Sequence, residues 1–215
     1  MVPVADRSTP LVMWRRAPLA GTAPAPTLVL LHGFGADEHD LEPVSPHLDP
    51  RLQIVFLRAP EPVPHFRGFQ WYTFAQAGAP EPVSWDEAQR RLFQALEELR
   101  ADAAVDPARL FLGGFSQGGV MTAGFLARHP AYPLAGAVVL SAYLPPSEPL
   151  APLPELPVFL GHGDSDPVVP VTWGLGLARR LETAGARVES HTYPMGHGLS
   201  PQELADLSAF LRVRL

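Results

Sequence analysis

Five stretches of this chain contain continuous runs of apolar residues, without the alternation of polar and apolar residues that a half-buried strand shows. They cover residues 27–33, 52–60, 109–115, 135–143 and 156–163. Strands that are buried on both faces have this pattern, which is typical of a parallel sheet covered by helices. A sixth stretch, residues 187–194, alternates more and is therefore expected at an edge of the sheet.

Helical patterns lie between these stretches. Ser84 followed by Glu87, and Ser200 followed by Glu203, each match the capping box that begins many helices. An apolar stripe at helical spacing follows the first box and consists of Leu92, Phe93, Leu96 and Leu99. The second box precedes a similar stripe formed by Leu204, Leu207 and Leu211. We therefore expect one helix after each box.

A further helix is expected from Gln117 to His129, because Pro130 cannot continue a helix. Strands and helices thus alternate along the chain, which predicts an α/β fold with a mostly parallel central sheet and helices on both faces. A length of 215 residues suits one such domain, spanning residues 1–215. Sheets of this kind bind ligands beyond the carboxyl ends of their strands.

Two segments depart from the alternation. Residues 60–83 are rich in proline and aromatic residues, and a long excursion of this kind is expected to serve as a lid or a pocket wall. Residues 143–157 contain too many prolines for a helix or a central strand and are expected to form a surface loop.

Composition excludes several functional classes. The net charge of −6 and the scattered basic residues argue against a nucleic-acid partner. The chain has no cysteine, which excludes disulfides, thiolate metal sites and a cysteine nucleophile. It shows no signal-peptide core, no membrane-length apolar run and no lipid anchor, so we expect a cytoplasmic protein without stable membrane anchoring. No phosphate-binding glycine motif precedes a helix, and no nucleotide or other cofactor is expected.

The strongest chemical signal is the sequence Gly114-Phe115-Ser116-Gln117-Gly118, which matches G-x-S-x-G. It lies between a predicted strand and a predicted helix, where a sharp turn would expose the serine hydroxyl as a nucleophile. The alternative is a glycine-rich turn in which Ser116 has no chemical role.

A nucleophilic serine needs a base, and His197 is the best placed of the eight histidines. It follows the last predicted strand and precedes the final helix, at the same end of the sheet as Ser116. An acid that orients this histidine should follow the preceding strand, where the residues alone leave Asp164 and Asp166 as alternatives. Both could instead be turn-forming aspartates.

An oxyanion produced by serine attack needs two preorganised N–H donors. The backbone of Gln117, directly after the nucleophile, is one candidate, and that of Phe34, in the glycine-flanked loop after the first strand, is the other. The histidines and aspartates show no metal-ligand spacing such as H-E-x-x-H, so no metal is expected.

Taken together, the segments "LLHGFGADEHDL", "GGFSQGGVM", "SAYLP", "HGDSDPVVP" and "GHGLSP" resemble the phospholipase/carboxylesterase family of α/β-hydrolases. The resemblance covers about residues 27–212. It implies Ser116 as nucleophile, His197 as base and Asp166, rather than Asp164, as the acid. It also implies Phe34 and Gln117 as the oxyanion donors.

The expected function is therefore hydrolysis of carboxylic esters or thioesters with short to medium acyl chains, on small-molecule or lipid-like substrates. The side chains of Trp71, Tyr72, Phe74 and Leu144 are candidate pocket walls, although core or lid packing explains such aromatics equally well. A lysophospholipase or an acyl-protein thioesterase would use the same triad. A binding protein on a hydrolase scaffold is the alternative from outside the enzymes. The oligomeric state cannot be inferred from the sequence.

Overall fold

A computed structural model describes residues 10–153 and 155–215 of the chain. Its centre is a sheet of seven strands in the order β1-β3-β2-β8-β9-β10-β11. The strand β1 pairs antiparallel with β3, and all the other pairings in this sheet are parallel. The strands are β1 (Met13–Arg16), β2 (Ala25–Leu31), β3 (Gln53–Leu57), β8 (Val105–Phe115), β9 (Gly136–Leu140), β10 (Pro157–Gly163) and β11 (Arg187–Tyr193).

Helices cover both faces of the sheet. They are α1 (Pro82–Ala101), α2 (Gln117–Arg128), α3 (Val171–Thr183) and α4 (Pro201–Arg212), together with a 3-10 helix over Glu42–His47. Val29 and Leu31 of β2 pack into the core that contains α1, α2 and α3, whereas Leu28 and Leu30 face α4 and the 3-10 helix. Because alternate residues of one strand enter different cores, each central strand has to be apolar throughout. The structure confirms the α/β prediction.

The predicted strands all form, with shifts of a few residues at their ends, and β11 lies at an edge as expected. The strand β1 at the opposite edge was missed. It is only four residues long, and its exposure pattern shows no fully buried position. Such a short, polar segment gives little hydrophobic signal.

One of the two predicted helix starts is wrong. Helix α1 begins at Pro82, and Glu81 rather than Ser84 is its N-cap, accepting hydrogen bonds from the N–H groups of Val83 and Ser84 at 3.0 and 2.8 Å. Proline at the first helical position needs no N–H partner there, which allows the earlier start. The second start is confirmed, since the Ser200 hydroxyl accepts from the Glu203 N–H at 3.1 Å.

The excursion at residues 60–83 forms two small antiparallel sheets before α1 begins. They pair β4 (Glu61–Pro62) with β5 (Phe69–Gln70), and β6 (Phe74–Gln76) with β7 (Ala79–Pro80). The segment 143–157, called the proline loop below, is anchored more deeply than a surface loop, because Tyr143, Leu144 and Leu153 are buried. In the described parts of the chain, every helix is too short or too polar to cross a bilayer.

Candidate active site

The turn from β8 into α2 places Ser116 in a strained conformation. Its backbone φ is 53° and its ψ is −119°, in a region that residues with a side chain rarely adopt. A Cβ atom on Gly114 would lie 2.4 Å from the Gly118 carbonyl, and one on Gly118 would lie 2.1 Å from the Leu31 oxygen. Glycine is therefore required at both positions, because α2 packs directly on the backbone of the strands. The glycines around the serine allow a tight turn that holds its hydroxyl outwards.

The serine hydroxyl lies next to a histidine. The Nε2 atom of His197 is 2.9 Å from Ser116 Oγ, and its Nδ1 atom is 2.7 Å from Asp166 Oδ2. The imidazole lies against the Phe115 ring, with 4.9 Å between ring centroids. Both distances are within hydrogen-bonding range. The structure therefore brings together the three residues that the sequence analysis predicted to form a triad.

Asp166 is held in place from two sides. While Oδ2 faces His197, Oδ1 accepts hydrogen bonds from the N–H groups of Val168 and Val169, both at 2.8 Å. Burial by itself would raise the pKa of this carboxyl, but the hydrogen bonds from His197 and from the two N–H groups outweigh it and leave the pKa below its ordinary value. Asp164 instead accepts a hydrogen bond from the Ser165 hydroxyl at the surface. The geometry therefore favours Asp166 over Asp164.

The loop after β2 approaches the serine closely. A Cβ atom on Gly33 would lie 3.4 Å from Ser116 Cβ. The Gly35 N–H donates to the Phe69 oxygen and the Phe69 N–H donates to the Ala36 oxygen, both at 2.8 Å, and these bonds fix the loop on either side of Phe34. The Phe34 N–H itself makes no hydrogen bond within the described residues. Gln117 is the first residue of α2, so its N–H also has no acceptor within the helix.

The loop has a second attachment, which the sequence did not reveal. The carboxylate of Glu38, which is buried, forms a bidentate ion pair with the Arg58 guanidinium. Arg58 also lies over the Phe69 ring, 4.7 Å from its centroid. One arginine thus links the loop after β2 to the end of β3 and to the excursion.

Two of the four candidate pocket residues lie in the core. Trp71 and Tyr72 are fully buried, and the Trp71 indole N–H donates to the His32 oxygen at 2.9 Å. The side chain of Gln117 binds this segment, since its Oε1 accepts from the Trp71 N–H and its Nε2 donates to the Tyr72 oxygen, both at 2.8 Å. Trp71 and Tyr72 therefore act as scaffold rather than as cavity lining.

The other two candidates are nearer to open space. Phe74 is half exposed, and its ring centroid lies 6.2 Å from that of Phe34. Leu144 lines a cavity of about 360 Å³, called the apolar cavity below. The β6–β7 hairpin, the start of the proline loop and helix α3 form its three walls, with Tyr143 and Trp173 in T-shaped contact at 4.9 Å. Trp173 was missed because the glycines of α3 obscure the helical pattern of that segment.

The buried histidines near the site have structural partners. His32 Nδ1 lies 2.7 Å from the Gly33 oxygen, which can only accept, and His32 Nε2 accepts from the Ala59 N–H at 3.0 Å. Burial lowers the pKa of His32, which favours this neutral form. His162 donates from Nε2 to the Val169 oxygen at 2.9 Å. No group of three or more candidate metal ligands occurs among the residues that the structure describes.

The chain resembles known proteins over nearly its whole length. The model of the phospholipase/carboxylesterase family matches residues 19–215. The chain is 32% identical to acyl-protein thioesterase 1 of Mycosarcoma maydis, over 90% of this chain and 93% of that protein. It is also 32% identical to acyl-protein thioesterase 1 of Neurospora crassa, over 94% of this chain and 93% of that protein.

Solved structures share the fold. The carboxylesterase of Bacillus cereus superposes with a TM-score of 0.84 at 23% identity, with 95% of each chain covered. The esterase PE8 superposes with a TM-score of 0.82 at 28% identity, covering 96% of this chain and all of that one.

Proposed function

The chain belongs to the phospholipase/carboxylesterase family, and on that premise we propose that it is a serine esterase that hydrolyses carboxylic esters and thioesters. One observation supports this proposal above all others. The Ser116 hydroxyl lies 2.9 Å from His197 Nε2, in a strained turn that holds the oxygen at the carboxyl end of the sheet.

In the proposed mechanism, Ser116 Oγ attacks the substrate carbonyl carbon while its proton moves to His197 Nε2. Asp166 keeps the hydrogen of the resting histidine on Nδ1 and stabilises the imidazolium that forms. The tetrahedral intermediate collapses to an acyl-enzyme, and the departing alcohol or thiol takes the proton from His197. A water molecule, deprotonated by the same histidine, then releases the acid and regenerates Ser116.

The oxyanion of each tetrahedral intermediate would lie between the backbone N–H groups of Phe34 and Gln117. Gln117 begins α2, so the positive end of the helix dipole also points towards this charge. The position of the Phe34 N–H is fixed by the hydrogen bonds that Gly35 and Ala36 form with Phe69. The Arg58–Glu38 ion pair holds the same loop. Donors that are fixed before the reaction lower the barrier because they need no reorganisation.

The acyl chain of the substrate would occupy the apolar cavity. Each of its walls is linked to the triad region. The proline loop follows Leu140, whose oxygen accepts from the Ser116 N–H at 2.9 Å, and the β6–β7 hairpin begins at Phe74 beside Phe34. Helix α3 packs through Gly174 on His162, close to Asp166. A volume of about 360 Å³ is at the small end of the range for ligand pockets, which fits acyl chains of short to medium length.

The leaving group defines a second candidate function. Relatives with about 32% identity over most of their length are named acyl-protein thioesterase 1. A thioester substrate would be cleaved by the same residues, since Ser116 attacks its carbonyl carbon in the same way and the departing thiol can take its proton from His197. A lysophospholipase would also share them.

The proposal is tested with p-nitrophenyl esters from acetate to palmitate, using the wild-type protein and Ser116→Ala. We expect the wild type to hydrolyse short and medium esters, and Ser116→Ala to reduce kcat by about 10⁴-fold or more. A fluorophosphonate probe should label Ser116, as located by peptide mass. A folded protein that neither hydrolyses these esters nor reacts with the probe would instead support a binding function on a hydrolase scaffold.

A further inference from the structure

Helix α3 contains a glycine that packing does not require. A Cβ atom on Gly174 would lie 2.3 Å from His162 Nδ1, so that glycine makes room for a buried ring. A Cβ atom on Gly176 would meet no atom within 4 Å, and its φ is not in the left-handed region. Glycine in a helix interior lowers stability relative to alanine. The open space beside Gly176 is therefore unexplained by the fold.

Two cavities meet at this glycine. The apolar cavity ends at Gly176 and Arg180 on one side. A second cavity of about 490 Å³, called the basic cavity below, begins at the same two residues and continues between Leu150 of the proline loop and Arg179 of α3. The two cavities are therefore neighbours along the helix, and position 176 places no side chain between them. Together they are called the groove below.

The far part of the groove carries two guanidinium groups, Arg179 and Arg180, that form no ion pair with any residue the structure describes. The Arg180 guanidinium donates to the backbone oxygens of Glu148 and Leu144, at 2.6 and 3.4 Å, and neither of these acceptors carries a formal charge. The Arg179 guanidinium makes no hydrogen bond or ion pair with any described residue. A guanidinium pair of this kind favours a carboxylate or another oxyanion.

We propose that the groove binds a medium-length acyl chain that ends in a carboxylate, and that Gly176 is a specificity-determining residue for it. The methylene chain would fill the apolar cavity and pass Gly176, and the terminal carboxylate would lie beside Arg179 and Arg180. This inference rests on the proposed esterase function. It adds a substrate class, namely monoesters and monothioesters of straight-chain dicarboxylic acids.

The test compares two esters with acyl chains of equal length, the p-nitrophenyl monoester of sebacic acid and p-nitrophenyl decanoate. We expect wild-type kcat/KM to favour the carboxylate-ended ester by about tenfold at low salt, and high salt to reduce this preference. Arg179→Gln should reduce the preference severalfold, because it removes one of the two guanidinium groups and leaves Arg180. Gly176→Leu should abolish the preference, because the leucine side chain would close the passage between the cavities.

Leu175→Phe is the matched control, since it adds volume to α3 at an exposed position that lines neither cavity. It should leave the ratio between the two esters unchanged. The thermal unfolding temperature of Gly176→Leu should not fall, because the site is open and leucine favours helix. Equal kcat/KM for the two esters in the wild type, a preference that survives Gly176→Leu, or a preference that Arg179→Gln leaves unchanged would overturn the inference. Failure of the esterase proposal would look different, since no ester would then be hydrolysed.

Discussion

The side-chain oxygen of Gln117 accepts a hydrogen bond from the Trp71 backbone N–H at 2.8 Å and so joins the start of α2 to the excursion. The amide nitrogen of the same side chain donates to the Tyr72 oxygen, also at 2.8 Å. All three residues are buried. Gln117 thus has two separable parts, a backbone N–H that faces the proposed oxyanion and a side chain that fixes the neighbouring aromatic segment.

Replacement of Gln117 by alanine should remove the side-chain hydrogen bonds and keep the backbone N–H. The Trp71 N–H and the Tyr72 carbonyl would lose their partners, so we expect the free energy of unfolding to fall by about 2 kcal/mol. The backbone donor at position 117 remains, and kcat of the folded variant should therefore fall by less than about 100-fold, the lower bound for loss of an oxyanion donor. Urea unfolding and ester kinetics measure the two effects. A full loss of kcat with unchanged stability would contradict this division.

Two glycines that both lie in helices should respond in opposite ways to alanine. In Gly118→Ala the new methyl group would lie 2.1 Å from the Leu31 oxygen, a backbone atom that cannot move alone. We expect a loss of roughly 3 kcal/mol or more in the free energy of unfolding, together with loss of esterase activity. In Gly176→Ala the new methyl group would have no atom within 4 Å. This substitution should raise the free energy of unfolding by about 0.5–1 kcal/mol, because alanine is more stable than glycine in a helix. Chemical denaturation of both variants gives the comparison, and equal changes would show that helix propensity alone decides the outcome.

The sheet was predictable because a strand that is buried on both faces must be apolar along its length. Strands β2 (Ala25–Leu31) and β10 (Pro157–Gly163), for example, show this pattern in the sequence. The proximity of Ser116 and His197 was predictable for a related reason. Both follow parallel strands, whose carboxyl ends meet at one edge of the sheet.

Features that depend on long-range contacts could not be predicted. The residues alone did not distinguish Asp166 from Asp164, because the difference lies in which carboxylate reaches His197, which is 31 residues from Asp166 in the sequence. The helix start at Glu81 depends on the fold of the excursion, where the Thr73 N–H donates to the Ser84 hydroxyl. The positions of the aromatic residues could not be predicted for the same reason. Hydrophobicity alone does not distinguish a core residue such as Trp71 from a cavity-lining residue such as Trp173.

The two aspartates of the loop after β10 allow a matched test of the triad. Asp166→Asn removes the carboxylate that contacts His197 Nδ1, and the amide can hold the imidazole in the wrong tautomer. We expect kcat/KM for p-nitrophenyl butyrate to fall by about 10⁴-fold. Asp164→Asn also removes one negative charge, but at an exposed position. It should alter kcat/KM by less than about threefold, because exposed charges interact weakly. Similar losses in the two variants would refute the assignment of Asp166.

Glu203 should make the stability of the protein depend on pH. Its side chain is completely buried in α4, and neither carboxyl oxygen has a hydrogen-bond partner among the described residues. Burial raises its pKa from the ordinary value of 4.5 to about 7, outweighing a smaller effect of the nearby Ser200 backbone that lowers it. Between these two values the native state keeps a proton that the unfolded state has lost. The stability that depends on this proton is therefore lost as the pH rises through this window.

In Glu203→Gln the side chain at position 203 cannot ionise. This variant should therefore lack the part of the pH dependence of stability that Glu203 causes. The free energy of unfolding of Glu203→Gln, minus that of the wild type, should rise by about 2.5 kcal/mol between about pH 5 and pH 8. Urea denaturation of both proteins at the two pH values measures it, and the subtraction cancels the titration of the groups that the two proteins share. A difference that is constant with pH would mean that the native state holds Glu203 ionised. In that case the buried carboxylate must have a partner other than the described side chains, because an unpaired charge at that depth would cost several kcal/mol.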